Sequence, residues 1–154
     1  MREETTTRTI YQYDELPTEA AKQAAREWYA RGLFDYDWWD YIYEDANTIG
    51  LKITEFDIYR GTIDGELLHG VNDICKLIKI NHGKTGGTYT LAKTMDLRKH
   101  NDDNEDTVRE FKYALLQEYL SMLLKEVEYM ESTENIEENI RGNEYEFTEG
   151  GKIS

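Results

Sequence analysis

Apolar positions along the chain recur mainly at helical spacing. The most regular run spans residues 105–131, where Val108, Phe111, Leu115 and Tyr119 repeat every three or four positions. Such a stripe covers one face of a helix and buries it against a core. The pattern therefore predicts one long helix over 105–131.

Four shorter helices are predicted from their start and stop signals. Proline, acidic residues and small polar residues mark the starts, and glycines mark the ends. The predicted helices run from Pro17 to Ala30, from Asp35 to about Thr48, from a cap at Asn72 or Asp73 to the loop at Gly83, and from a cap at Ser132 or Thr133 to Gly142.

Strands are predicted where apolar and polar residues alternate: 51–59, 66–69, 88–95 and a last one around 145–147. Residues 1–9 are polar and fit either a flexible lead-in or an edge strand. The predicted fold is α+β, a single domain over 1–154. It has an antiparallel sheet of about three to four strands, packed against about four or five helices.

Charge narrows the class of partner. The chain has 32 acidic and 18 basic residues and a formal net charge of -14. Residues 51–100 carry +2, whereas residues 1–50 carry -6 and residues 101–154 carry -10. An acidic protein is repelled by bare nucleic acid and by anionic membranes, so neither is an expected partner.

The single cysteine, Cys75, excludes an intramolecular disulfide and favours a reducing compartment. The start of the chain lacks the apolar core of a signal peptide, and no apolar run reaches about 18 residues. We therefore expect a cytoplasmic protein.

The sequence does not match any of three catalytic motifs that parts of it resemble. Gly83-Lys84-Thr85 resembles the end of a phosphate-binding loop, but Ile78 stands where that motif needs glycine, and a helix rather than a strand precedes it. The acids near the strands lack the acid-x-Lys pair of a two-metal nuclease. Serine occurs only at 121, 132 and 154, outside any Gly-x-Ser-x-Gly elbow. The sequence predicts no catalytic residue and no cofactor.

A metal site is a weaker alternative. His69, Cys75 and His82 are the only soft ligands near one another in sequence, at gaps of six and seven residues. Zinc sites normally use ligand pairs two to five residues apart. A buried thiol and two ordinary histidines account for the same residues.

Two segments are candidates for binding a partner. In one, aromatic side chains alternate with acids, which is typical of core rings with a few surface anchors; its candidate residues are Asp35, Tyr36, Asp37, Trp38 and Asp40. The other is the acidic last third, where a carboxylate array can compete with phosphates for a basic groove. Its candidate residues are Asp102, Asp103, Glu126, Glu131, Glu134, Glu137, Glu138, Glu144 and Glu146.

Both ends of the chain resemble a family of small bacteriophage and prophage proteins. The similarity lies in ELPTEAAKQAAREWY (15–29), in WWDYIYEDA (38–46) and in NEYEFTEGG (143–151). The resemblance implies a phage accessory protein acting in the cytoplasm of a bacterial host. It implies no catalytic residues.

The leading hypothesis is a non-enzymatic acidic protein that inhibits a host defence or nucleic-acid-handling protein, such as a CRISPR–Cas or restriction nuclease, by nucleic-acid mimicry. The first alternative is a structural or regulatory phage protein whose acidity only keeps it soluble. The second is a metal-dependent enzyme built on His69, Cys75 and His82.

Overall fold

A computed structural model describes residues 8–96 and 104–154. Within them the chain forms six α-helices, one 3-10 turn and a two-stranded antiparallel sheet. The helices are α1 (Glu19–Arg31), α2 (Asp40–Thr48), α3 (Val71–Asn81), α4 (Gly87–Asp96), α5 (Glu105–Glu131) and α6 (Thr133–Gly142), the 3-10 turn is Tyr13–Glu15, and the strands are β1 (Leu51–Asp57) and β2 (Thr62–Leu67). The α+β class and the long helix are confirmed, whereas the predicted sheet of three to four strands is not, because the described residues form a sheet of two.

The chain divides into two compact units. Unit 1 contains the described residues up to 37 together with 127–154, and unit 2 contains the described residues between 38 and 126. A single domain over 1–154 stays a prediction. No helix in the described ranges is long and apolar enough to cross a membrane.

The core of unit 1 forms between α1, the 3-10 turn and α6. Ala21 and Ala25 are buried, and their small side chains let α1 pack closely against Ile136 and Ile140 of α6. The first turn of α1 is capped by Thr18, whose hydroxyl accepts a hydrogen bond of 3.1 Å from the Ala21 N–H. This start agrees with the sequence prediction.

The predicted last strand is absent from the described residues. Phe147 is fully buried and forms only isolated bridges, with Tyr11 and with Ile153. Trp28 packs edge-on against Phe147 and Tyr145, with ring centroids 5.8 and 5.0 Å away. The apolar positions at 145 and 147 thus serve an aromatic cluster rather than a ladder.

Unit 2 packs its hairpin and helices around α5. Strand β1 pairs with β2 from Leu51 opposite Leu67 to Asp57 opposite Thr62, with a bulge between Ile53 and Glu55. That bulge accounts for the slip in alternation along β1. The hairpin buries Leu51, Ile53 and Ile63, whereas α5 buries Phe111, Leu115, Tyr119 and Leu123.

The strand predicted over 88–95 is wrong, because this segment is helix α4. Thr88 and Ala92, one helical turn apart, are buried, and α4 packs against α3. The hydroxyls of Thr90 and Thr94 donate to carbonyls four residues earlier, at 3.2 and 2.9 Å. Packing of the buried face overrides threonine's strand preference here, and the exposed hydroxyls find acceptors within the helix.

Two predicted helix starts are also corrected. Helix α2 begins at Asp40 rather than Asp35, with Trp39 at its N-cap. Helix α3 begins at Val71 after Gly70, and neither Asn72 nor Asp73 is the cap. The prediction favoured polar caps, whereas a buried Val71 sets the start of α3.

Candidate functional site

The acidic residues of unit 1 lie largely on the outside of α6 and its flanks. Helix α6 buries Asn135, Ile136 and Ile140, and it exposes Glu134 and Glu138 one turn apart. We define the unit 1 acidic surface as five exposed residues: Glu131, Glu134, Glu138, Glu144 and Glu146.

This surface has little basic compensation. Residues 127–154 contain only two bases, Arg141 and Lys152. The Arg141 guanidinium donates to the Asp14 carboxylate at 2.9 and 3.0 Å, and that hydrogen bond raises the pKa of Arg141. Among the described residues, no ion pair joins a base to any of the five surface carboxylates.

Glu137 differs from its neighbours because it is half-buried and bonded. The Tyr13 hydroxyl donates to Glu137 Oε2 at 2.7 Å and accepts from Arg26 Nη1 at 2.7 Å. Burial, followed by the hydrogen bond to Glu137, raises the pKa of Tyr13. Glu137 therefore links α6 to the 3-10 turn.

The other predicted acids lie elsewhere. Glu126 is half-buried on α5 in unit 2. Asp102 and Asp103 fall outside the described residues.

The candidate residues of the acidic and aromatic segment, 35–40, lie in different surroundings. Trp38 is buried and packs edge-on against Trp39 and Phe56, with ring centroids 5.7 Å away in each case. The remaining candidates are exposed and lie in two units, with Asp35, Tyr36 and Asp37 in unit 1 and Asp40 in unit 2. Trp38 is a core residue of unit 2 rather than a surface anchor.

The three soft ligands have different surroundings. His69 is exposed, and Cys75 is buried so that desolvation raises the pKa of its thiol to about 11. No group of three or more His, Cys, Asp or Glu side chains in the described part of the chain is placed to hold a metal ion.

His82 belongs to a polar network inside unit 2. Its Nδ1 lies 2.6 Å from the Thr88 hydroxyl oxygen, and its Nε2 lies 3.0 Å from Asp45 Oδ2. The Nε2 approach is not aligned for a hydrogen bond, so this buried atom lacks one within the described residues. Tyr119 completes the network by donating its hydroxyl to Asp45 Oδ2 at 2.7 Å.

The order of hydroxyl, imidazole and carboxylate matches a nucleophilic triad, but the hydroxyl is not accessible to a substrate. Thr88 borders an open pocket but is only 2% exposed, and the His82 Nε2 atom is buried. A triad nucleophile must reach a substrate carbonyl from the floor of an open cleft. The network instead fixes the Asp45 carboxylate, because Tyr119 and His82 both contact its Oδ2.

An open pocket of about 470 Å³ lies beside this network. It is bounded by α2, the α3–α4 loop, the start of α4 and Met122 of α5. Asp45 and His82 line it together with apolar Ile42. Sequence spacing does not predict this pocket, because its polar residues come from distant elements. The available signal is Tyr119 on an apolar stripe, because a buried tyrosine hydroxyl needs a hydrogen-bond partner.

The fold defines a small α+β protein, and unit 1 presents an acidic surface with few neighbouring bases. No protein family model, curated protein or solved structure matches this chain.

Proposed function

We propose that this chain is a non-enzymatic, phage-encoded binding protein that blocks the nucleic-acid-binding surface of a host defence protein, such as a CRISPR–Cas or restriction nuclease. The observation that carries the proposal is the unit 1 acidic surface, five exposed carboxylates without an ion pair in the described residues. Because both chain ends resemble phage proteins, the proposed target is a protein of the bacterial host.

The physical basis is competition for a basic groove. The described part of unit 1 has 14 acidic and 6 basic residues. Carboxylates held on a helix can replace phosphates in such a groove and release counterions from it. Glu134 lies in the first turn of α6, where the helix dipole stabilises an acidic side chain, and Glu138 lies one turn further on.

A plating assay tests the proposal. Bacteria that carry a restriction or CRISPR–Cas system would express the wild-type protein or Glu134→Lys/Glu138→Lys, and would be challenged with a sensitive phage. We expect the wild type to raise the plating efficiency at least tenfold and the double variant to return it to the vector level.

A matched control separates the surface from total charge. Glu55→Lys/Glu66→Lys makes the same change in net charge on the hairpin of unit 2. Glu55 faces Asp64 and Glu66 faces Lys52, so the two reversals offset each other in cross-strand energy. We expect this control to protect the phage like the wild type. Equal loss in both double variants, or no protection by the wild type, would reject the proposal.

A further inference from the structure

The pocket beside Asp45 offers hydrogen-bond acceptors above an apolar floor. Asp45 and Asn81 line it with a carboxylate and an amide side chain, and Ile42 and Met122 are apolar residues of the same lining. The Asn81 amide nitrogen donates to the Leu77 carbonyl at 2.8 Å, which leaves its oxygen as an acceptor. Such a lining suits a ligand that has a donor-rich head and an apolar stem.

The Asp45 carboxylate is held in place before any ligand arrives. Its Oδ2 accepts from Tyr119 and lies 3.0 Å from His82 Nε2, while its Oδ1 receives no hydrogen bond from the described residues. The Asp45 side chain is 45% exposed, and it lines the pocket. A carboxylate with one fixed oxygen and one open oxygen needs little reorganisation to bind a cation.

The other charged features of the pocket favour a cation over an anion. The N-terminus of α4 would attract an anion, but the Glu118 carboxylate already lies against Gly87 in its first turn. Lys84, in the same loop, is exposed and is not part of the lining. The ring of Tyr41, 55% exposed, stands at the pocket, where a planar cation can stack on it.

We propose that this pocket binds the guanidinium of an arginine side chain supplied by the partner protein. Asp45 Oδ1 accepts from the guanidinium, Asn81 accepts a further N–H, and Tyr41 covers its face. Ile42 and Met122 contact the methylene stem. The identity of the partner rests on the proposed function, since basic nucleic-acid-binding surfaces are rich in arginine. The chemistry of the ligand rests on the pocket alone.

Titration with N-acetyl-arginine amide tests this site directly. The readout is the backbone amide NMR signals of Gly86 and Gly87, which line the pocket. We expect saturable shifts, with binding at least tenfold weaker for the citrulline analogue, which has the same shape without the charge. Equal binding of both analogues would overturn the proposal. Tighter binding of spermidine would also overturn it, in favour of a free polyamine.

Variants assign the binding to Asp45. Asp45→Asn keeps an oxygen for Tyr119 and removes the charge, so we expect at least a tenfold loss of arginine affinity. Glu55→Gln removes one charge elsewhere in unit 2 and should change the affinity less than twofold. Equal losses of affinity in Asp45→Asn and Glu55→Gln would show that binding depends on total charge rather than on Asp45. Tyr41→Ala, on an exposed residue, should weaken binding several-fold, and it tests the site if Asp45→Asn unfolds.

The pocket and the proposed function can fail separately. Glu134→Lys/Glu138→Lys leaves the pocket unchanged and should bind the arginine amide like the wild type. Protection of phage without any arginine binding would reject the pocket alone. Arginine binding without protection would reject the proposed function alone.

Discussion

The hydroxyl of Tyr119 donates a 2.7 Å hydrogen bond to Asp45 Oδ2 across a sequence separation of 74 residues. Tyr119 is fully buried, and its burial, followed by the bond to Asp45, raises the pKa of its hydroxyl. The bond joins α5 to α2 and satisfies a polar atom that would otherwise be buried without a partner.

Removing this hydroxyl should destabilise unit 2. Tyr119→Phe keeps the ring and deletes the donor, so we expect a loss of about 1–2 kcal/mol in the free energy of unfolding, since Asp45 is partly exposed. Urea titration measures it. Tyr113→Phe makes the same change on an exposed residue of the same helix and should have no measurable effect. Equal stabilities for the two variants would contradict a role for the bond.

Close packing at Gly151 should make its substitution costly. Gly151 has φ +83°, and an added Cβ would collide with the backbone carbonyl of Ala21 on α1. We expect Gly151→Ala to lower the free energy of unfolding by about 2–4 kcal/mol, because both strain and a backbone clash arise.

Gly150 provides the matched control. An added Cβ there meets nothing within 4 Å and its φ is not positive. Gly150→Ala should therefore be nearly neutral by the same thermal or urea measurement. A tolerated Gly151→Ala would contradict the close approach of the C-terminal segment to α1.

Burial of the Cys75 thiol should make the free energy of unfolding fall at alkaline pH. Its thiol pKa is raised from 9.0 to about 11, so the unfolded chain loses the thiol proton first as pH rises. Stability present below pH 9 is then lost between pH 9 and 11, by about 2 kcal/mol from this group. Tyrosines with raised pKa values add to the loss above pH 10.

Urea unfolding from pH 8 to 11 isolates the thiol. Cys75→Ala should start less stable than the wild type at pH 8 and approach it as pH rises. Ile78→Val, a similar core truncation on α3, should keep a constant difference from the wild type. A constant difference for Cys75→Ala as well would show that the thiol does not contribute to the pH dependence.

The elements that the sequence predicted well are those with strong local signals. Helix α5 has a sustained apolar period, and Ser132 caps α6 by accepting from the Asn135 N–H at 3.2 Å. In the segment 88–95 the alternation of threonines predicts a strand, whereas Thr88 and Ala92 are both buried because they lie one helical turn apart in α4. Tertiary packing therefore determines the secondary structure of this segment.

The candidate sites also divide into features with local sequence signals and features that depend on long-range contacts. The exposure of Glu134 and Glu138 agrees with the local periodicity of α6, whereas their role in binding stays a prediction. The bonding of Glu137 to Tyr13 depends on residues 124 positions apart, and sequence spacing does not reveal it. The pocket at Asp45 likewise depends on distant contacts with His82 and Tyr119.

Displacement of DNA from a nuclease tests the central claim most directly. A labelled duplex bound to a purified restriction nuclease would be titrated with the wild type and both charge-reversal double variants, at about 50 mM and about 200 mM salt. The account predicts that the wild type displaces the duplex, and that its affinity for the nuclease, corrected for the salt dependence of duplex binding, falls at least tenfold at the higher salt. It also predicts at least a tenfold loss in Glu134→Lys/Glu138→Lys and none in Glu55→Lys/Glu66→Lys. An affinity independent of salt, or equal affinities for the two double variants, would contradict it.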